Sequence, residues 1–373
     1  MERRKAIYSV FIDGKDVTPG FVAVVTSITI KDGEGEKSDT ASIDLDNANS
    51  QIAFPRIGAK IEIGLGWEGN PAIICFEGKV DEVKSAGSRG GGRTLTISAK
   101  SADTRGKLKQ REEKHKDKAK LGDVASEWGK EAGLTDVKVH PDLAKIERPY
   151  WSIEGESFVS WAARTAKEIG ATFKVMGERA VMTPRSSGKT ASGKDLPKIK
   201  AEWGKNLISW NMSPVLSRNA FKKFETRWYD PKEAKWKTET VEAREAGDGI
   251  EASTTKRFSS ADKDTAKAEA DSESKESDRE KGGGSVSIDG DPTAQAEAEC
   301  EVIGTDPGID GTYRIESITH KITRSGGFTT DLELKQPKGE AGKDTRKSEK
   351  AGSAKGSAKS STTTGFASPS QRA

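Results

Sequence analysis

The stretch Ile57-Gly58-Ala59-Lys60-Ile61-Glu62-Ile63-Gly64-Leu65-Gly66-Trp67 decides the fold class of this chain. Apolar side chains alternate there with glycine, lysine or glutamate, which is the period of two of a β-strand with one buried and one wet face. A helix would instead need apolar residues three or four positions apart. We therefore predict a strand and treat its apolar positions as candidates for a barrel strand or a subunit-interface strand. These candidate residues are Ile57, Ile61, Ile63, Leu65 and Trp67.

Similar patterns surround this strand over residues 1–104, which we call the first β block. Weaker alternations occur over 41–45 and 95–99. Turn sequences such as Asp13-Gly14 and Gly90-Gly91-Gly92 separate the apolar runs. Many short strands joined by such turns are typical of a small barrel or sandwich, and we predict one here.

The pattern changes over residues 105–184, which we call the insert. Apolar residues at helical spacing predict two helices that begin near Leu121 and Phe158 and each end at a glycine. A short strand between them and a hairpin around Gly177 complete a small α+β domain. The stretch 105–120 is basic and has few large apolar residues, so we predict a solvated, mobile connector, with a basic contact surface as the alternative.

The C-terminal part of the chain divides into a linker, a second β block and a tail. Residues 185–199, the linker, are rich in Ser, Gly and Lys and predict a loop. Strand patterns return over 200–340, the second β block. Within it, residues 262–281 have no large apolar side chain, and we favour an exposed, frayed helix over a mobile loop. Residues 341–373, the tail, cannot bury enough surface to offset chain entropy, so we predict that they are disordered.

Composition excludes several classes of function. The chain of 373 residues has a mean hydropathy of −0.72, and no apolar run approaches the roughly 18 residues of a membrane helix. Two cysteines, Cys75 and Cys300, cannot build a disulfide framework or a cysteine zinc site. The net charge is +3, of which the tail carries +5, so the rest of the chain stands at −2. We expect no membrane partner, no cofactor, no metal and no specific nucleic-acid partner.

Two phosphate-binding motifs are matched only superficially. Gly64-Leu65-Gly66-Trp67-Glu68-Gly69 fits G-x-G-x-x-G, but Asn70-Pro71 and an apolar strand follow where a dinucleotide site needs a helix. Ser187-Gly188-Lys189-Thr190 ends like a P-loop, but Thr183 stands where its first glycine belongs.

His320 lies between two isoleucines of a predicted strand and is expected to be half-buried. No Ser/His/Asp or Cys/His set stands at a recognisable spacing, so we predict no catalytic residues and no enzyme.

Several short blocks, taken in order, resemble the phage late-control D proteins, which are tail and baseplate hub proteins. The resemblance covers most of residues 5–337, and it rests on the order and spacing of the blocks together. The main blocks are Ile12-Asp13-Gly14-Lys15-Asp16-Val17-Thr18, Pro55-Arg56-Ile57-Gly58-Ala59, Leu65-Gly66-Trp67, Phe76-Glu77-Gly78-Lys79-Val80-Asp81-Glu82-Val83, Ile97-Ser98-Ala99-Lys100-Ser101-Ala102-Asp103, Glu156-Ser157-Phe158-Val159-Ser160-Trp161 and Gly311-Thr312-Tyr313-Arg314-Ile315.

This resemblance implies a homotrimeric hub of a phage tail or a related contractile injection machine, similar to the hub part of type VI secretion spikes. Each chain of such hubs carries two tube-like β-barrels, here assigned to 1–104 and 200–340, so the implied fold is α+β and mainly β. Three chains make a pseudo-sixfold ring that joins a hexameric tail tube to a trimeric spike. Implied partners are the tail tube, central spike, baseplate wedge and tape-measure proteins. The implied location is the virion tail baseplate, with assembly in the host cytoplasm.

Two other functions are alternatives to a structural hub. A tail-tip cell-wall hydrolase of the glycosidase type needs two positioned carboxylates, and no acidic residue stands in such a motif context. A late-gene regulator would be expected to carry a helix-turn-helix, whereas a strand and a long segment separate the two predicted helices of the insert. We therefore expect a structural hub and keep the hydrolase as the alternative.

Overall fold

The computed structural model describes residues 4–33, 38–102, 106–215, 221–243 and 252–343. Strands dominate these residues and helices are few, which confirms the predicted α+β, mainly β class. The first β block contains β1 (Ala6–Ile12), β2 (Lys15–Asp16), helix α1 (Thr18–Phe21), β3 (Val25–Gly33), β4 (Thr40–Asp46), β5 (Lys60–Trp67), β6 (Ile73–Ser88) and β7 (Gly92–Lys100).

The insert and the second β block follow in chain order. The insert contains a 3-10 turn (Lys107–Lys109), β8 (Arg111–Lys120), α2 (Leu121–Glu131), β9 (Asp136–Val139), α3 (Pro141–Ala144), β10 (Glu147–Ser157), α4 (Phe158–Glu168), β11 (Ala171–Met176) and β12 (Arg179–Pro184). The second β block contains β13 (Ile199–Glu202), β14 (Leu207–Ser213), β15 (Lys223–Asp230), β16 (Lys235–Glu242), β17 (Ser253–Thr255), α5 (Lys263–Arg279), β18 (Gly283–Asp289), β19 (Glu299–Ile303), β20 (Gly311–Thr323) and β21 (Gly327–Lys338).

One 13-stranded sheet runs through both β blocks, in the order β14-β18-β21-β20-β3-β4-β7-β6-β5-β1-β2. Strand β19 also pairs with β20, and β13 extends from β19. The two blocks meet where β3 pairs antiparallel with β20, with Ile28 opposite Ile322. Because backbone hydrogen bonds cross this boundary, the two blocks are joined by a continuous ladder and not by side-chain contacts alone.

The described residues form three hydrophobic clusters. The cluster of the first β block takes in Ile322 and Phe328 from the second β block, which follows from the β3–β20 pairing. A second cluster fills the insert, and a third fills the second β block. Each cluster lies where alternate residues of its strands, or one face of its helices, point inward.

The two helices predicted for the insert are confirmed as α2 and α4. The hydroxyl of Ser157 caps α4 by accepting a hydrogen bond from the amide of Ser160 at 3.3 Å. Trp161 of α4 packs edge-to-face on Trp128 of α2, with ring centroids 4.9 Å apart. The apolar face that the helical spacing predicts is therefore the face that fills the insert core.

The prediction of a solvated, mobile connector over 105–120 is wrong for most of that stretch. Residues 111–120 form β8, which pairs antiparallel with β10 along its length. Lys114 reaches Glu131 of α2 at 2.6 Å, and Lys116 pairs with Glu127 of the same helix. Backbone pairing and charged contacts hold this strand, so the lack of apolar residues did not indicate a loop.

The helix predicted over 262–281 is confirmed as α5, but it is not exposed all round. Asp262 caps it by accepting a hydrogen bond from the amide of Thr265 at 2.9 Å. Ala266 and Ala270 are completely buried on the face that packs on β15 and β16. Small side chains allow this close approach, and they carry little of the apolar signal by which a buried helix face is recognised.

The linker follows an irregular path, as predicted, but buried arginines anchor it. Arg314 donates to the carbonyl oxygen of Ser186 at 2.9 Å, and Arg279 donates to the hydroxyl of the same serine at 2.8 Å. Both arginine side chains are at least 96% buried. The prediction of disorder for 341–373 falls, apart from its first three residues, outside the described residues.

Candidate functional site

The strand that decided the fold class lies in the interior of the first β block. β5 pairs with β1 on one side and β6 on the other, so both of its backbone edges are occupied within the chain. Ile61, Ile63 and Leu65 are at most 1% exposed, whereas Ile57 and Trp67 are half-buried. Of the two roles considered for these residues, this geometry favours a barrel strand over a subunit-interface strand.

Trp67 connects the two β blocks at the end of β5. Its indole nitrogen donates a 2.7 Å hydrogen bond to the carbonyl oxygen of Gly290, which follows β18. Its ring lies 5.5 Å from that of Phe328 on β21, measured between centroids. This tryptophan therefore fixes the orientation of the blocks in addition to packing a core, a role that sequence reasoning did not assign to it.

A candidate assembly surface lies instead at the β14 end of the 13-stranded sheet. Among the described residues, β14 pairs with β18 on one side and is the last strand of the sheet on the other. Trp203 and Ile208 are 53% and 48% exposed beside this edge. Trp203 is held edge-to-face against Trp210, with centroids 4.9 Å apart. We call Trp203, Ile208, Trp210 and the backbone of β14 the β14 edge.

An exposed tryptophan and an exposed isoleucine beside a strand with one unpaired edge are typical of a surface that another chain covers. A lone edge strand offers unpaired amides and carbonyls as a template for a further strand. Tryptophan is enriched among the residues that dominate binding energy in interfaces. The sequence pattern alone did not identify this site. Trp203 and Trp210, which lie just before and within a strand with few large apolar residues, are the signal that could have indicated it.

The opposite end of the sheet is formed by β1 and β2. The two-residue strand β2 covers only Phe11 and Ile12 of β1. The amide of Val10 donates to the hydroxyl of Thr18 at 2.8 Å, so α1 covers the next position. The outer edge of β1 over residues 6–9 is left without a partner strand among the described residues. The main run of strands thus ends in two unlike edges among the described residues, one at β14 and one at β1, while β13 is the outer strand of the branch through β19.

A cavity of about 440 Å³ lies where the first β block, the insert and the second β block meet. Burial raises the pKa of the Cys75 thiol in its wall to about 11, so this thiol is protonated at neutral pH and is a poor nucleophile. His320, also in its wall, is buried, not half-buried as predicted, and shares a 3.0 Å hydrogen bond with Thr330. Burial lowers the pKa of His320.

The second cysteine and the metal-ligating residue types add no site among the described residues. Burial raises the pKa of the other cysteine, Cys300, to about 12. No group of three His, Cys, Asp or Glu residues in the described ranges could hold a metal ion. Across the same ranges, no helix has the length and apolar character needed to span a bilayer.

Solved structures that match this fold include two tail proteins and a component of a type VI secretion system. The chain superposes on a tail protein from Neisseria meningitidis with a TM-score of 0.68, at 14% identity over 89% of this chain and 96% of that one. It matches a 43 kDa tail protein of prophage MuSo2 from Shewanella oneidensis with a TM-score of 0.64, at 19% identity over 88% and 98% of the two chains. A type VI secretion system component of E. coli matches with a TM-score of 0.54, at 10% identity over 89% and 78%.

Curated relatives by sequence are baseplate hub proteins. The chain is 30% identical to the probable baseplate hub protein of Escherichia phage 186 over 224 residues, which are 60% of this chain and 56% of that protein. It is 32% identical to the probable baseplate hub protein of Escherichia phage P2 over 194 residues, 52% and 49% of the two chains. The chain spans about half the length of the curated relatives it matches. No protein-family model matches it.

These comparisons confirm the resemblance to tail and baseplate hub proteins that the ordered sequence blocks predict. Both curated relatives are named as probable baseplate hub proteins, and neither name states an enzymatic activity. The hydrolase alternative gains no support from them.

Proposed function

We propose that this protein is a structural baseplate hub subunit, and that three copies form a ring joining a hexameric tail tube to a trimeric spike. The hub role is supported by two relatives named as probable baseplate hub proteins. It is also supported by a tail-protein fold that extends over almost the whole chain. In this role the protein would contact the tail tube, central spike, baseplate wedge and tape-measure proteins. It would be located in the virion tail baseplate after assembly in the host cytoplasm.

The observation that supports the ring is the pair of unlike edges at β14 and β1, the two ends of the main run of strands among the described residues. If β14 of one copy pairs with β1 of the next, the contact is head-to-tail, because different surfaces of the two copies meet. Head-to-tail contacts close into rings when the rotation between copies permits. Such pairing would satisfy the open backbone groups and would cover the exposed parts of Trp203 and Ile208.

The ring is tested by the solution mass and by a variant at the β14 edge. Light scattering at micromolar concentration is expected to give three times the chain mass of 40.1 kDa. Ile208→Lys is expected to lower this mass to that of one chain while the circular dichroism spectrum is retained, because Ile208 is 48% exposed within the chain. Phe54→Lys is the matched control, since Phe54 is 60% exposed in the loop between β4 and β5.

Two results would contradict the proposal at different points. A wild-type mass of one chain at all concentrations, and also after addition of spike protein, rules out the ring. A trimer that survives Ile208→Lys as well as it survives Phe54→Lys leaves the ring in place and refutes the β14 edge as its contact.

A further inference from the structure

We propose that the junction of the insert with the first β block is a proton-linked latch, formed by Lys174 of the insert held between Asp32 and Asp39 of the block. The latch would keep the insert docked more firmly at mildly acidic pH than above neutrality. It lies in the wall of the junction cavity, away from the β14 edge, and does not depend on the ring.

The geometry places one ammonium group between two carboxylates. The Nζ of Lys174, on β11, pairs with Asp32 at the end of β3 and lies 3.0 Å from Asp39, just before β4. The three side chains are 12–20% exposed. The second carboxylate oxygen of Asp39, Oδ1, is buried and has no hydrogen-bond partner. A cluster of one positive and two negative charges in a confined site is one proton short of neutrality.

Among the described residues, the latch is a buried polar link across this junction. Two further polar contacts there are an ion pair of 2.7 Å between Arg179 and Glu77 and a hydrogen bond of 3.0 Å from the amide of Gly177 to the carbonyl oxygen of Ser101. Arg179 is 55% exposed, so solvent screens its ion pair. The charged and titratable groups that share the cavity wall, among the described residues, are Asp32, Asp39, Cys75, Glu77, Lys174, Arg179 and His320.

The electrostatics agree with a shared proton. Burial raises the pKa of Asp39 to about 7, against the pull of Lys174, and the nearby Asp32 charge adds to this rise. Burial alone would lower the pKa of Lys174, but Asp32 and Asp39 raise it, so the lysine stays charged. Once the insert moves away, Asp39 is solvated and its pKa returns to an ordinary value of about 4.

The sign of the pH dependence follows from these two values. Between about pH 4 and pH 7 the docked state binds a proton that the undocked state has released, so docking weakens as pH rises through this window. The opening equilibrium should increase by up to about tenfold per pH unit and level off above pH 7. A salt bridge without a shared proton has the opposite sign, because it weakens when its carboxylates are protonated at low pH.

Hydrogen exchange of the full chain between pH 5 and pH 8, corrected for intrinsic exchange rates, measures the opening. The amide of Gly177, whose hydrogen bond to Ser101 crosses the junction, should lose protection as pH rises towards 7, while amides of β18 should not. Asp39→Asn should remove the pH dependence and leave the insert docked, because one carboxylate remains to pair with Lys174. Asp32→Asn should leave a weaker pH dependence, because burial still raises the pKa of Asp39 once the neighbouring charge is gone. Glu77→Gln is the control and should keep the wild-type pH dependence.

Alkylation of Cys75 gives a second readout, since this thiol lies in the cavity wall and Cys300 in the second β block serves as the internal reference. The rate at Cys75 relative to Cys300, each corrected for thiolate fraction, should follow the same pH profile. Protection of the Gly177 amide that is independent of pH in the wild type overturns the latch. So does a pH dependence that Asp39→Asn retains in full.

Discussion

Ile63→Ala is expected to lower the free energy of unfolding by about 3–4 kcal/mol. The substitution removes three carbon atoms from a side chain that is 0% exposed. At about 0.8 kcal/mol for each buried carbon, the lost transfer free energy is about 2.4 kcal/mol. Val10 and Phe76 lie opposite Ile63 on β1 and β6, and backbone pairing on both sides of β5 prevents them from closing the space. A cavity contribution therefore adds to the loss, within the range of about 2–5 kcal/mol typical of such substitutions.

Urea denaturation followed by circular dichroism, at two protein concentrations a hundredfold apart, measures this loss. Because Ile63 is buried inside its own chain, the difference between wild type and variant should be the same at both concentrations. Glu62→Ala is the matched control on the opposite face of β5. The Glu62 side chain is 32% exposed and pairs with Lys60 at 3.2 Å, so its removal should cost less than about 1 kcal/mol.

A loss of less than about 1 kcal/mol for Ile63→Ala would contradict the burial assigned to this side chain. So would a loss for Glu62→Ala as large as that for Ile63→Ala. A loss for Ile63→Ala that grows as the protein is diluted would have a different meaning. It would place this side chain in a contact between chains and would restore the subunit-interface role that the burial of β5 argues against.

Three further outcomes are expected. Gly78→Ala should prevent stable folding of the first β block, because a Cβ there would collide with the carbonyl oxygen of Lys100 on β7. The thermal midpoint and soluble yield measure this, and Gly20→Ala, where a Cβ meets no atom, is the control for glycine replacement alone. Removal of residues 344–373 should shift the thermal midpoint by no more than a few degrees, because their composition provides little apolar surface to bury. A larger fall of the midpoint, measured by calorimetry, would show that the tail packs on the rest of the chain. Purified protein should release no products from peptidoglycan, and turnover that vanishes on substitution of one Asp or Glu would contradict the structural role.

The elements with a clear local pattern could be predicted from the sequence. The period of two over residues 57–67 is a property of neighbouring residues, and it yields β5 with its buried face correctly assigned. The helical spacing after Leu121 and Phe158, with a glycine after each, yields α2 and α4. Such elements carry their own apolar face, so no knowledge of the rest of the chain is needed to recognise them.

Elements held by polar or long-range contacts could not be recognised in this way. Strand β8 consists mostly of charged residues. It is held by backbone pairing with β10 and by ion pairs with acidic residues of α2. Helix α5 buries alanines, which have little weight in any hydrophobic pattern. In both cases the residues that stabilise the element lie in another part of the chain. The local sequence therefore does not show that the element forms.

The sequence by itself determined the mainly β class and the resemblance to baseplate hub proteins. The tertiary structure alone decided which surfaces are left open and which charges meet. Whether a strand becomes an edge, as β14 does, depends on the sheet order, and that order arises from pairings such as β3 with β20 between distant residues. The meeting of Lys174 with Asp32 and Asp39 likewise joins residues more than 130 positions apart, because folding brings the insert against the first β block.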